Sequence, residues 1–394
     1  MSEIKMDEFE LDPSAIESSI ANMDSSEINE FDGSMDFEKF IVLSKKELSN
    51  FCRIVEPLTK ASIDDYGKSV MIRCLDNTTV ELCYYNNPYV VRATVENKSN
   101  KQVRSFAVSV ATLKKIVTNA FASLVLVESE NGDINLALCE SLLYLETKNL
   151  DERQYNFTIK DAMLDIDKEL AHYTFRKVGA ILSQTDRASE KVVVIKDGKA
   201  HFNTGIFTSK SKSPFAGERG IVLYKQVIDV ISTLAELSKV NLNYDVVDDK
   251  LIIKCDGSFY CEMPVGSEDK VDEFISPAAQ NILNFDADIS IFNDTFLRIV
   301  SIVKSLDYLS DIVTVVFEKD KIKLVIATVN QTKTSEYEFP IVEGKPETLG
   351  AIKLTVDVLQ VFLNIVGADV KYQFTENGLG IKNDVGTFLI RRSH

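Results

Sequence analysis

One pattern recurs along residues 37–394 and limits what this chain can fold into. A run of alternating apolar and polar residues leads into an amphipathic stretch of helical period, and two or three alternating runs follow. In the first copy the strand "FEKFIVL" (37–43) precedes "KKELSNFCRIVEPL", with Ser44 as N-cap and Leu48, Phe51, Cys52, Val55 and Leu58 on one stripe. "SVMIRCL", "TVELCYY" and "YVVRATV" then alternate as strands, with "DNT" and "NNP" as turns. Five more helical stretches, "VATLKKIVTNAFASL", "ELAHYTFRKVGAILS", "KQVIDVISTLAELS", "TFLRIVSIVKSL" and "DVLQVFLNIVG", each follow a strand-like run: "VRSFAVS", "AMLDID", "GIVLY", "ADISIF" and "AIKLTV" in turn. "ENGD" and "KDGK" mark hairpins between later strands. No residue identity joins the copies; the recurrence lies in hydrophobic period alone.

A helix on a short sheet buries little, so two copies are expected to share one core. That gives an α+β chain of three domains, 37–157, 158–284 and 285–394, each with two strand–helix–strands units. The length suits such a division. Helices on one side of edge-joined sheets would line one continuous surface, with sheets outside. Residues 1–36 differ: eleven Asp/Glu stand against one Lys, which places -10 of the chain's formal -16 there. Their few apolar residues could hardly offset the entropy of ordering them, so a flexible acidic tail is expected.

The helices run against the acidic balance. Taken as 45–60, 110–124, 170–184, 225–237, 295–306 and 355–366, they carry +2, +2, +2, -1, +2 and -1, a net +6, inside a folded part of only -6. A sparse cationic surface attracts a phosphate backbone without reading bases, and an acidic exterior discourages wrapping on the outside. Lys45, Arg53, Lys114, Lys115, Arg176, Lys177, Arg298 and Lys304 are the candidate duplex contacts by helix face. A solvated helix face explains any one of them taken singly.

Six cysteines are scattered without a C-x-x-C pair, which fits reduced thiols in a cytosolic protein better than a disulfide framework or zinc site. His172, His201 and His394 lie far apart with no metal-ligand spacing. The chain has no G-x-x-x-x-G-K-[ST], no G-x-G-x-x-G after a strand, no H-E-x-x-H and no arrangement suggesting a triad. Asp64-Asp65 and Asp248-Asp249 read as solvated turn carboxylates. No cofactor is expected, no apolar run reaches membrane-spanning length, and a non-enzyme is favoured.

In order and spacing of elements, residues 37–394 resemble the bacterial DNA sliding clamps, the beta subunits of DNA polymerase III, in a divergent or phage-like form. The resemblance is carried by "VLSKKELSNFCRIVEPLTKA", "RQYNF", "KDGKAHFNTGIFTS", "VFEKDKIKLVIATVNQTKTSEYEF" and "GTFLIRRSH" in that order. It implies a homodimeric ring lined by helices, loaded on double-stranded DNA by a clamp-loader ATPase and tethering DNA polymerase. Lys60 and Arg187 match positions where the family places duplex contacts. A pocket for partner peptides would be made by Thr204, Gly205, Ile206 and Phe207, by Pro277, and by Phe388, Leu389, Ile390 and Arg391. Here Ile206-Phe207 replaces the family's His-Arg, and the usual Met-Pro-Met-Arg ending is absent. The alternative is a structural or interaction protein, such as a viral assembly component, built from similar units without DNA binding.

Overall fold

Six amphipathic helices form where the helical period runs: α1 (Lys45–Thr59), α2 (Val110–Asn119), α3 (Lys168–Leu182), α4 (Lys225–Leu237), α5 (Asn293–Lys304) and α6 (Val356–Val366). The computed structural model describes residues 37–394 apart from 61, 63, 121, 139–140, 183–190, 218, 256–257, 276–279, 347, 367–369 and 392–394. The expected acidic tail lies outside the described residues. The predicted stripe of α1 is buried as a set, with Ile54 added to it. Phe296, Val300 and Val303 of α5 are buried likewise. An apolar stripe on each helix, removed from water, supplies the main gain that holds helix to sheet.

Boundaries shift where other interactions win. α2 stops at Asn119 because Ser123–Glu128 pairs as a strand with Phe40–Ser44. α5 begins two residues early, placing Asp294 in a first turn where the helix dipole favours it. Ser44 precedes α1 without a side-chain cap, whereas Ser109 caps α2 by accepting from the Thr112 amide at 3.0 Å. "ADISIF" is no continuous strand: Ile289 bridges Tyr372 while Ser290 bridges Glu343, so adjacent residues change partner.

The strands make four antiparallel sheets. Two are four-stranded. One runs Phe40–Ser44, Ser123–Glu128, Ile134–Leu138, Ser141–Tyr144; the other runs Thr334–Pro340, Lys321–Thr328, Leu309–Phe317, Gly350–Thr355. An eight-stranded sheet passes from Tyr89–Glu96 directly to Phe259–Pro264, with Val90 opposite Glu262 and Ala93 opposite Phe259. A seven-stranded sheet passes from Phe207–Lys212 to Gly386–Arg391, with Phe207 opposite Ile390 and Ser211 opposite Gly386. Segments more than 160 residues apart thus share unbroken ladders at both joins.

Hairpin turns follow their sequences. Asp197 and Gly198 both take positive φ, as a two-residue turn between right-twisted strands demands. Asp248 and Asp249 do the same between Leu242–Val247 and Lys250–Cys255, so that acidic pair is turn chemistry. Asp64 accepts from the Gly67 amide at 2.8 Å.

Two polar sites tie the layers. Glu81, with its side chain fully buried, pairs with both Arg73 and Arg92. Arg73 also donates to Asn156 Oδ1 at 2.8 Å, pinning the "RQYNF" segment. His201 lies opposite Lys210 and receives Gln280 Nε2 at 3.0 Å from Nδ1. Burial, then the Lys210 charge, pushes the His201 imidazole down to about 4 from 6.5. The fold favours its neutral form, so stability present above pH 6.5 is expected to drain away as pH falls toward 4. Urea midpoints at neutral and acid pH should show a smaller acid loss for His201→Gln; an equal loss would rule out this residue as a cause.

Candidate nucleic-acid interface and partner cavity

The six helices touch in one row, in the order α2, α1, α4, α3, α6, α5. The row crosses both sheet joins, so helices from distant parts of the chain share a surface. Arg53 of α1 reaches Glu236 of α4 at 2.8 Å, and Gln360 of α6 donates to Ser301 of α5 at 3.2 Å.

Within this row the candidate cations divide into groups. Arg53, Lys114 and Lys304 are ion-paired, with Glu236 at 2.8 Å, Glu56 at 2.7 Å and Asp357 at 3.0 Å. Lys45 donates to the Ala120 carbonyl at 2.6 Å, satisfying the chain just beyond α2. Arg176 is exposed beside His172, and Arg53 followed by Arg176 and His172 contributes to holding the Glu236 carboxyl below its usual range. Lys60, Lys115 and Arg298 are exposed and form no ion pair with any described residue. Lys177 lies on α3, and Arg187 falls outside the described residues. Over the observed bounds the helices carry +1, +2, +2, -1, +1 and -1. The net +4 is smaller than expected because Asp294 joins α5 and Lys60 becomes a cap, while Glu169 enters α3 together with Lys168. The counter-charges Glu56, Glu236 and Asp357 were missed as such, since pairing between helices has no signature in local spacing.

The second feature is a cavity of about 470 Å³ where the turn at 203–207, the end of α5, the start of α6 and the last strand meet. Ile206, Ile390 and Arg391 line it, together with Val303, Leu306 and Val356. Thr204 is buried and builds the turn, its Oγ1 accepting from the Phe207 amide at 3.0 Å. A side chain at Gly205 would meet open space. Phe207, Phe388 and Leu389 are buried; the Phe207 and Phe388 rings pack with centroids 6.4 Å apart. Pro277 lies outside the described residues. Arg391 Nη2 donates to Asn203 Oδ1 at 2.9 Å and Thr208 Oγ1 at 3.0 Å, locking the last strand to the turn. The cavity's charged rim, Lys304, Asp307, Asp311 and Asp357, was not foreseen. Its two loop aspartates lie in "SLDYLSDIV", a polar break between helix and strand with no motif to flag it.

Among the described residues no three His, Cys, Asp or Glu side chains gather as a metal site would need. No helix among them is long and apolar enough to cross a membrane.

This arrangement of helices and sheets is the fold of the bacterial DNA polymerase III beta sliding clamps. The beta subunit of Borrelia burgdorferi, solved with a natural product, superposes with a TM-score of 0.69 at 13% identity, covering 90% of this chain and 99% of that one. The Helicobacter pylori beta clamp bound to a DNA ligase peptide gives 0.67 at 13% identity, over 90% of this chain and 100% of its own. The Caulobacter crescentus sliding clamp gives 0.67 at 12%, with the same coverage. No family model matches the chain, and no curated protein matches it in sequence.

Proposed function

We propose that this chain is a DNA sliding clamp: a non-enzymatic cytoplasmic homodimer that encircles duplex DNA and tethers a DNA polymerase. The observation that carries the reading is the unbroken row of six helices, backed by sheets over the whole folded length. Residues 37–157, 158–284 and 285–394 are then three domains, joined by the two continuous ladders. Processivity follows from topology, so contact with phosphates can stay weak and sequence-independent. A loader ATPase would open the dimer on DNA. Partner segments would dock in the cavity at Ile206 and Ile390, as an apolar site with a few polar groups suits a peptide.

Retention on circular plasmid, with release on linearisation, tests the reading. A protein that never accumulates on circular DNA, even with its loader, defeats it. Lys60, Lys115, Arg176 and Arg298 are the expected phosphate contacts, the paired cations contributing less. Reversing Lys115 and Arg298 to Glu should shorten retention and flatten the salt dependence, by about 0.9 in log–log slope for each phosphate that is no longer neutralised. An unchanged slope would remove those two side chains from the interface.

A further inference from the structure

We infer that the cavity at Ile206 selects peptides in which an aliphatic residue is followed closely by Lys or Arg, an inference that rests on the docking reading above. The floor is aliphatic, with Ile206, Val303, Leu306 and Ile390 among its lining. Its charges do not balance. Lys304 is engaged by Asp357 at 3.0 Å, and Arg391, held by the neutral Asn203 and Thr208, keeps its charge, so three carboxylates stand against two cations. Asp307 and Asp311 are exposed at the rim and pair with no cation among the described residues. Tyr308 and Ile312, next to them in the chain, are exposed as well, so apolar surface continues past the carboxylates.

An occupant must therefore offer an apolar anchor and, within a residue or two, positive charge. An acidic peptide meets like charge at Asp307 and Asp311, which raises its free energy without any new contact. The chain's own N-terminal stretch, with eleven acids and one Lys, has the wrong sign for this site.

The test uses the full-length protein and three fluorescein-labelled octapeptides that share a Leu-Leu-Phe core and end in paired Arg, paired Gln or paired Glu. At low salt the Arg peptide is expected to bind about tenfold more tightly than the Gln peptide, as two rim ion pairs would give, and the Glu peptide more weakly still. The gap should close as salt screens exposed charges. The variant carrying Asp307→Asn and Asp311→Asn, both surface changes, should bind the Arg and Gln peptides alike. Ile206→Trp, which fills the floor, should abolish binding of all three. If the three bind equally and Ile206→Trp abolishes them, docking stands and charge selection falls. If none binds, or Ile206→Trp changes nothing, the docking reading fails and takes this inference with it.

Discussion

Leu143→Asp is expected to convert the proposed two-chain ring into single chains, and with that to erase retention on circular DNA. The strand Ser141–Tyr144 ends its sheet, and all four of its residues are exposed. Leu142 is 44%, Leu143 55% and Tyr144 61% accessible, so both faces of an edge strand present apolar side chains to water. A monomeric protein normally blunts such an edge with charge or proline. Thr334–Pro340 ends the other four-stranded sheet, and its residues are exposed apart from Phe339. Pairing these two edges head to tail would extend one sheet across each joint of a closed dimer and cover Leu143 twice, once per joint. Burying a leucine contributes about 1.5–3 kcal/mol. An aspartate there loses that and brings negative charge to an edge whose proposed partner strand carries Glu336 and Glu338. Light scattering at micromolar concentration reads the outcome: a halved mass for Leu143→Asp. An undiminished mass would mean that chains associate elsewhere.

Glu81→Ala is expected to cost about 3–5 kcal/mol of folding stability, as removing one partner of a buried ion pair does. The carboxylate is fully buried, while Arg73 and Arg92 keep 17% and 21% of their side chains accessible. Without Glu81, two guanidiniums converge on an apolar sheet face, and Arg73 loses the partner that holds it toward Asn156. Replacing Arg73 by Met should cost less, because Glu81 keeps Arg92. Urea unfolding followed by circular dichroism separates the two. A Glu81→Ala protein within about 1 kcal/mol of the parent would show the triad to be dispensable.

The fold was legible because helical and strand periods alternate cleanly, and the stripe of α1 and the "KDGK" turn emerged as read. What escaped was non-local. Period alone does not say which strands pair, and the ladder between the strand from Phe207 and the strand from Gly386 is a product of the folded chain. The cation row was legible by helix face, but the acids that neutralise Arg53, Lys114 and Lys304 sit on other helices or another turn of the chain. At the cavity, Ile206, Ile390 and Arg391 line the space, whereas Phe388 and Leu389, on opposite faces of the last strand, are both buried. Asp307 and Asp311 follow a helix end, where solvated acids are ordinary, so their sequence carried no signal.

The two ladders that run through the joins have a mechanical consequence. A sheet that passes without interruption from Ala93 to Phe259, and another from Phe207 to Ile390, resists bending as a plate does, since flexing either means stretching several backbone bonds together. Helices packed across the same places, α1 on α4 and α3 on α6, brace them. Both joins within one chain are therefore stiff, and the exposed edge strands belong to the other two sheets. In the proposed ring, parting the two chains would begin at the exposed edges Ser141–Tyr144 and Thr334–Pro340 and would leave both joins as they are.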